Sequence, residues 1–256
     1  MVPEAWPEDD GLLEKKSLRS EVFELLRRRI VSGDYALGEW LRQEEIANEL
    51  GVSPTPVREA LDELVAEGLA ERIPYRGVRV LQLSAEEIVD AYVFRLLLEV
   101  AAARLSAFNV TEEQAEVLER ILDETEQLLA LDDVSGYQHL NRRLHQRIAA
   151  SSGNELLARL YKLVVNRFPD WMMYGDLAEQ PELRRSAMAR DLDEHHTLVD
   201  LIISHQADAA SRQAMRHMQG VGEELIAWAD VPESMLREKE QEIQAFLPHV
   251  EASEDD

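Results

Sequence analysis

The sequence predicts a mainly α-helical protein, with an N-terminal winged helix-turn-helix of three helices plus a β-hairpin wing, followed by an all-helical antiparallel bundle. Three observations predict it. Three short capped helical patterns open the chain, two β-rich runs joined by PYRG follow them, and from Ser84 to Trp228 the apolar residues recur with helical spacing and without strand alternation. The composition allows two modest cores: of 256 residues, 45% are hydrophobic and 30% charged, which excludes a disordered or fibrous chain. The reading divides the chain into a flexible N-terminal tail (1–16), the winged helix (17–83), the helical domain (84–229) and an acidic C-terminal extension (230–256).

In the small domain, LRSEVFELLRRRIV puts Leu18, Val22, Leu25, Leu26 and Ile30 on one helical face, with Gly33 as its stop. QEEIANEL is a second helix closed by Gly51. The third, in VSPTPVREALDELVAEGL, has Ser53 as N-cap, Pro54 at the first helical position, Pro56 in the first turn and Gly68 as terminator. That start exposes Thr55 and Arg58 and turns Val57, Leu61, Leu64 and Val65 inward. LAERI and GVRVLQL then form a hairpin with Arg76 and Gly77 at its tip.

The large domain begins with a capping box, Ser84 with Glu87, ahead of Ile88, Ala91, Tyr92, Leu96 and Val100. Thr111 and Gln114 form a second box. Further helical runs cover GYQHLNRRLHQRIAA, ELLARLYKLVVNRF, PELRRSAMARDLDEHHTLVDLIISH and ADAASRQAMRHMQGVGEELIAW. About six helices result, an architecture that builds sites from side chains on facing helices. Trp171, Met172 and Met173 read as core or cavity wall.

A winged helix places its third helix in the major groove N-terminus first, where Arg58 could grip guanine and Thr55 a phosphate or thymine methyl, with helix-terminal N–H groups adding a phosphate site. GVSPTPVREAL, then EGL, then RGVRV resembles the GntR family of bacterial regulators across the whole small domain. The resemblance implies that Ser53, Thr55 and Arg58 touch operator DNA from the helix, and Arg76 and Gly77 from the wing. Two positions depart from it: Pro54 stands where many relatives carry an arginine, and Glu44 where some carry another, with Arg42 as the cation that would replace the second. A net charge of −24 opposes phosphate binding, so the basic contacts must act locally, within a Debye length of about 8–10 Å.

Asn141 and His145 share one helix face a turn apart, and the short SHQAD turn would set His195 and His217 level on two antiparallel helices. With no cysteine in the chain, any metal needs nitrogen and oxygen ligands. His139, His196, His205 and His249 lack this spacing and read as surface histidines. NRRLH with ASSGN after it, DEHHTLVDLI, AASRQAMRHM and FRLLLE together resemble the FCD effector domain of the FadR-like branch of those regulators, over residues 87–225. The resemblance implies Asn141, His145, His195 and His217 as ligands of a divalent metal, with aspartate the usual residue at the first place. A neutral amide there weakens binding or favours zinc or nickel over magnesium, so zinc is expected, with nickel or manganese as alternatives. Arg95 has two readings, a grip on an effector carboxylate or a surface salt bridge to Glu99 four residues on.

The resemblance further implies a small organic acid effector and a homodimer on palindromic half-sites, acting as a ligand-responsive repressor. The rival is a metal-dependent enzyme acting on a small acid or ester, with the winged helix as an accessory. It lacks a general base beside the ligands, because Glu194 adjoins His195 but points about 100° away around an ideal helix. The acidic MVPEAWPEDDGLLEKK has neither the basic region nor the apolar run of a secretory signal, and no stretch approaches the roughly 20 apolar residues of a membrane span, so a cytoplasmic protein is expected.

Overall fold

A computed structural model of the chain describes residues 17–31, 34–165, 180–228 and 231–248. Gly33, the Trp171, Met172 and Met173 cluster, His249 and the two chain ends lie outside the described residues.

The small domain runs α1 (Leu18–Val31), β1 (Trp40–Leu41), α2 (Gln43–Leu50), α3 (Pro54–Ala66), β2 (Ala70–Ile73) and β3 (Gly77–Val80). α2 ends where Gly51 takes the left-handed conformation (φ 66°), which costs a residue without Cβ little, and its N–H returns to the Ala47 and Asn48 carbonyls. Leu26, Val57, Ala60, Leu64 and Val80 make a dry core between α1, α3 and the sheet. That sheet is three-stranded, in the order β1-β3-β2, and not a lone hairpin. β1 was not legible in the sequence: two residues carry no alternation, and only pairing of Trp40 with Arg79 and Leu41 with Val78 makes them a strand.

Ser53 is the N-cap of α3 as expected, but its side chain makes no capping hydrogen bond. The reason is local. A serine cap normally bonds the second or third helical N–H, and Pro56 at the third position has none. With Pro54 also lacking an N–H, Thr55 is the one residue of the first three helical positions whose amide is left for the expected phosphate cradle.

The large domain comprises α4 (Ala85–Asn109), α5 (Glu112–Ala130), α6 (Val134–Ser151), α7 (Glu155–Val165), α8 (Pro181–Ile203), α9 (Ala207–Trp228) and α10 (Glu233–Ile243). Both capping boxes form, at Ser84/Glu87 and Thr111/Gln114. α4 is the central helix, packing against α6, α7, α8, α9 and α10. Against α9 it packs closely at Gly222, where a Cβ would lie 2.7 Å from the Tyr92 hydroxyl. Leu83 contacts both cores and joins the domains.

Within the acidic segment 230–256, the described part is not only a chain end. Residues 233–243 are helical, with Leu236 fully buried, Tyr92 donating to Glu240 at 2.6 Å, and Arg237 bridging Glu240 and Glu223. ESMLREKEQEI carries too few apolar residues to announce a packed helix, and α10 gains its place from α4. Leu236→Ala is expected to lower stability by about 2–4 kcal/mol in denaturant unfolding; a solvated tail would leave the midpoint unchanged.

Candidate nucleic-acid interface and metal centre

The start of α3, the β1–α2 junction and the wing converge on one exposed cleft of about 440 Å³. Arg42, Arg58, Arg76 and Gly77 line it together, as does Arg72, which the sequence reading missed. Ser53 and Thr55 are exposed beside it on the α3 terminus, and the wing tip projects Tyr75, fully exposed at φ 64°. Among the described residues Arg42, Arg58 and Arg76 make no ion pair, whereas Arg72 is neutralised by Asp62. Glu44 and Glu45 also line the cleft and reduce its positive potential.

The second constellation lies inside the bundle. His145 from α6, His195 from α8 and His217 from α9 are buried together, and one ring nitrogen of each lies within 4.8 Å of the others. His145 Nε2 and His195 Nε2 face each other at 2.9 Å. Each outer ring is oriented by a carboxylate: His145 donates Nδ1–H to Glu99 Oε2 at 2.8 Å, and His217 donates Nδ1–H to Glu194 Oε2 at 2.9 Å. A carboxylate behind the ring fixes the tautomer and turns the other nitrogen toward the centre.

Glu194 therefore belongs to the site after all. The angular argument along α8 holds, but α9 brings His217 round to it. Asn141 occupies the expected face of α6, donates Nδ2 to Asp191 at 3.3 Å, and has a buried Oδ1 with no hydrogen-bond partner. An orphaned buried acceptor and three converged imidazoles are the donor set a divalent cation accepts, so these residues fit a metal.

Arg95 pairs with Glu99 at 3.1 Å, but at 4% exposure this is a buried bridge and not the surface one envisaged. It does not line the cleft beside His217. Tyr161 donates to Glu99 as well, at 2.7 Å, so Arg95 and Tyr161 hold the carboxylate that holds His145. His139 and His205 are exposed, as expected of residues outside the site, and His196 is partly so.

Burial opposes ionisation of Glu99, but His145 and Arg95 more than offset it and hold the carboxyl well below its usual range. Asp191 shows the same balance, with His195 and His217 as its counter-groups. Burial pushes His195 well below the ordinary imidazole value, whereas at His217 the Glu194, Asp191 and Glu99 carboxylates overcome burial and raise it.

For Glu99 the consequence has a definite sign. A depressed carboxyl stabilises the fold above its unfolded value of about 4.3, and the contribution is lost as pH falls through the depressed value. Glu99→Gln should cost about 3 kcal/mol near neutral pH, and the gap to wild type should shrink below about pH 4 in thermal unfolding series.

Residues 18–80 match the bacterial regulatory proteins of the gntR family, and residues 90–220 match the FCD domain. The "Probable D-xylose utilization operon transcriptional repressor" of Paenarthrobacter nicotinovorans is 41% identical over 105 residues, which span 41% of this chain and 46% of that protein. The HTH-type transcriptional repressor RspR of Escherichia coli K12 is 26% identical over 209 residues, 80% of this chain and 88% of that protein. Among solved structures, E. coli McbR/YncC superposes with a TM-score of 0.61 at 23% identity, covering 82% of this chain and 98% of that one, a likeness of fold. Family and relatives are transcriptional regulators and not enzymes, which overturns the metal-dependent enzyme alternative. The chain belongs to the gntR family of bacterial regulatory proteins and is a DNA-binding transcriptional regulator whose winged helix is followed by an FCD domain.

Proposed function

We propose that the protein is a homodimeric, cytoplasmic repressor that holds palindromic operator half-sites and releases them when a small organic acid binds at a divalent metal in the helical domain. The observation that carries this reading is the double role of α6. One face of α6 supplies Asn141 and His145 to the centre, and the adjoining Arg142 donates to the carbonyl of Glu67 and approaches its carboxylate at 3.4 Å. Glu67 is the C-cap of the recognition helix α3. A shift of α6 on ligand binding is thereby transmitted to the DNA-reading element, provided the ligand binds the two arrangements differently.

Asn141, His145, His195 and His217 would hold the metal, zinc in first place and nickel or manganese as alternatives. Bound there, the cation supplies a positive centre for carboxylate oxygens. A cleft of about 340 Å³ reaches His217 and is lined by Arg190, Asp191, Glu194, Glu223 and Glu224. Burial and then the neighbouring Asp191 push Glu224 up to about 7, which lessens the negative charge an arriving acid meets. The remaining acidity makes acid binding depend on the metal. On the DNA side, Arg58 and Thr55 read bases, while Arg42, Ser53, Arg76 and Gly77 position the domain on the backbone.

The dimer is supported by an apolar stripe on α7. Leu156, Leu160 and Leu163 are 60%, 44% and 63% exposed, and Phe94 of α4, beside Leu163, is 61% exposed. A second copy of the chain would cover these side chains and present two recognition helices about one DNA turn apart.

Gel shifts on the DNA upstream of the protein's own gene test the reading. Wild type should form a salt-sensitive complex that a small mono-, di- or tricarboxylate dissolves only when metal is present, and Arg58→Ala should weaken it about 10-fold or more. Arg142→Ala should keep the complex and lose the response; no sequence-preferring complex for wild type would overturn the proposal. Light scattering should find wild type dimeric and Leu160→Glu/Leu163→Glu monomeric, and a dimeric double variant would remove α7 from the interface.

A further inference from the structure

The metal centre contains a carboxylate that the expected ligand set does not use. Asp191 stands one turn before His195 on α8, with its side chain 13% exposed. Its two oxygens differ in their surroundings. Oδ2 accepts from the Tyr137 hydroxyl at 2.8 Å and from Asn141 Nδ2 at 3.3 Å. Oδ1 lies 3.7 Å from His195 Nε2 and 3.7 Å from His217 Nδ1, too far for a hydrogen bond to either.

Glu99 and Glu194 are placed otherwise, each in direct contact with the Nδ1 of its histidine and so behind the ring. Asp191 Oδ1 instead lies beside His195 Nε2, the nitrogen that faces His145, and bonds neither it nor His217, whose Nδ1 is taken by Glu194. Donors that share one cation at about 2.0–2.2 Å sit roughly 3–3.5 Å apart. The 2.9 Å between His145 Nε2 and His195 Nε2 and the 3.7 Å between Asp191 Oδ1 and His195 Nε2 bracket that spacing.

Charge points the same way. Three neutral imidazoles and one amide place no anionic atom directly on a divalent ion in a buried site, with Glu99 and Glu194 acting only from behind the rings. We propose that Asp191, through Oδ1, is the anionic oxygen ligand of the metal, supplying the charge that Asn141 lacks. Its Oδ2 simultaneously takes the Asn141 Nδ2 and turns the amide oxygen free for the same ion. This rests on the reading that the three histidines hold a metal.

The test uses full-length protein stripped by a chelator and titrated with Zn²⁺, Mn²⁺ and Co²⁺. Wild type should bind about one equivalent, and His195→Ala should lose it. Asp191→Asn should bind Zn²⁺ at least about 10-fold more weakly and Mn²⁺ more weakly still, since the harder ion depends more on an anionic oxygen. It should also change the Co²⁺ absorption spectrum, which reports the coordination sphere and not the fold. The apo protein should stay folded, because asparagine keeps an acceptor for Tyr137, but with a lowered melting temperature, because the depressed Asp191 carboxyl stabilises the fold. Asn141→Asp/Asp191→Asn restores one carboxylate to the site and should regain most of the affinity; if the single variant does not fold, failure of this pair to bind Mn²⁺ better than Asp191→Ala overturns the proposal. Wild-type affinity and spectrum in Asp191→Asn would overturn the Asp191 assignment and leave the histidine site standing, whereas a wild type that binds none of the three ions overturns both.

Discussion

Glu99 is an ionised carboxylate in the middle of the longest helix, buried among apolar side chains, and burying such a group is unfavourable unless its partners are in place. Arg95 comes from the same helix, His145 from α6 and Tyr161 from α7, so satisfying one charge fixes the approach of three helices. Asp191 does the same for α8, through Tyr137 and Asn141 of α6, and Glu194 ties α8 to His217 of α9. The polar centre does not tolerate sliding, since every displacement leaves a buried charge or amide without a partner.

A centre built this way is also sensitive. Binding or losing a cation changes the balance among Glu99, Asp191 and three imidazoles, and one of the helices that carry them, α6, contacts the small domain through Arg142. Arg142 bonds Glu67 at the end of α3, one residue from Asn141, so α6 alone separates the histidine cluster from the small domain at this point. At the winged helix, two features reduce the attraction for phosphate. Pro54 and Pro56 remove two of the amides that a helix N-terminus would offer a phosphate, and Glu44 and Glu45 sit among the arginines. Arg42, Arg58 and Arg76 are the arginines of this cleft that make no ion pair among the described residues, and on the proposed reading they carry its contacts to DNA.

Local rules made much of this visible in the chain. Proline at a helix start, paired caps at Ser84/Glu87 and Thr111/Gln114 and glycine at Gly51 act within a few residues, so the helix borders at α1, α2, α4 and α5 needed no tertiary information. The same holds for Asn141 and His145, whose shared face follows from the pitch of one helix. Asp191 carries the same signal, one turn before His195, but as one of many acidic residues on a charged helix it did not stand out.

The sequence by itself determined the helical and β segments, the exposed arginines of the winged helix and the identity of the three histidines, because periodicity, caps and spacing are properties of neighbouring residues. Tertiary structure alone decided that β1 is a strand, that α10 is packed, that Arg95 faces Glu99 in the interior, and that Glu194, Asp191 and Arg72 join sites built by other elements. Each of these depends on which side chain a different helix or strand presents at that point. That is fixed by how the elements pack, and no interval counted along a single segment contains it.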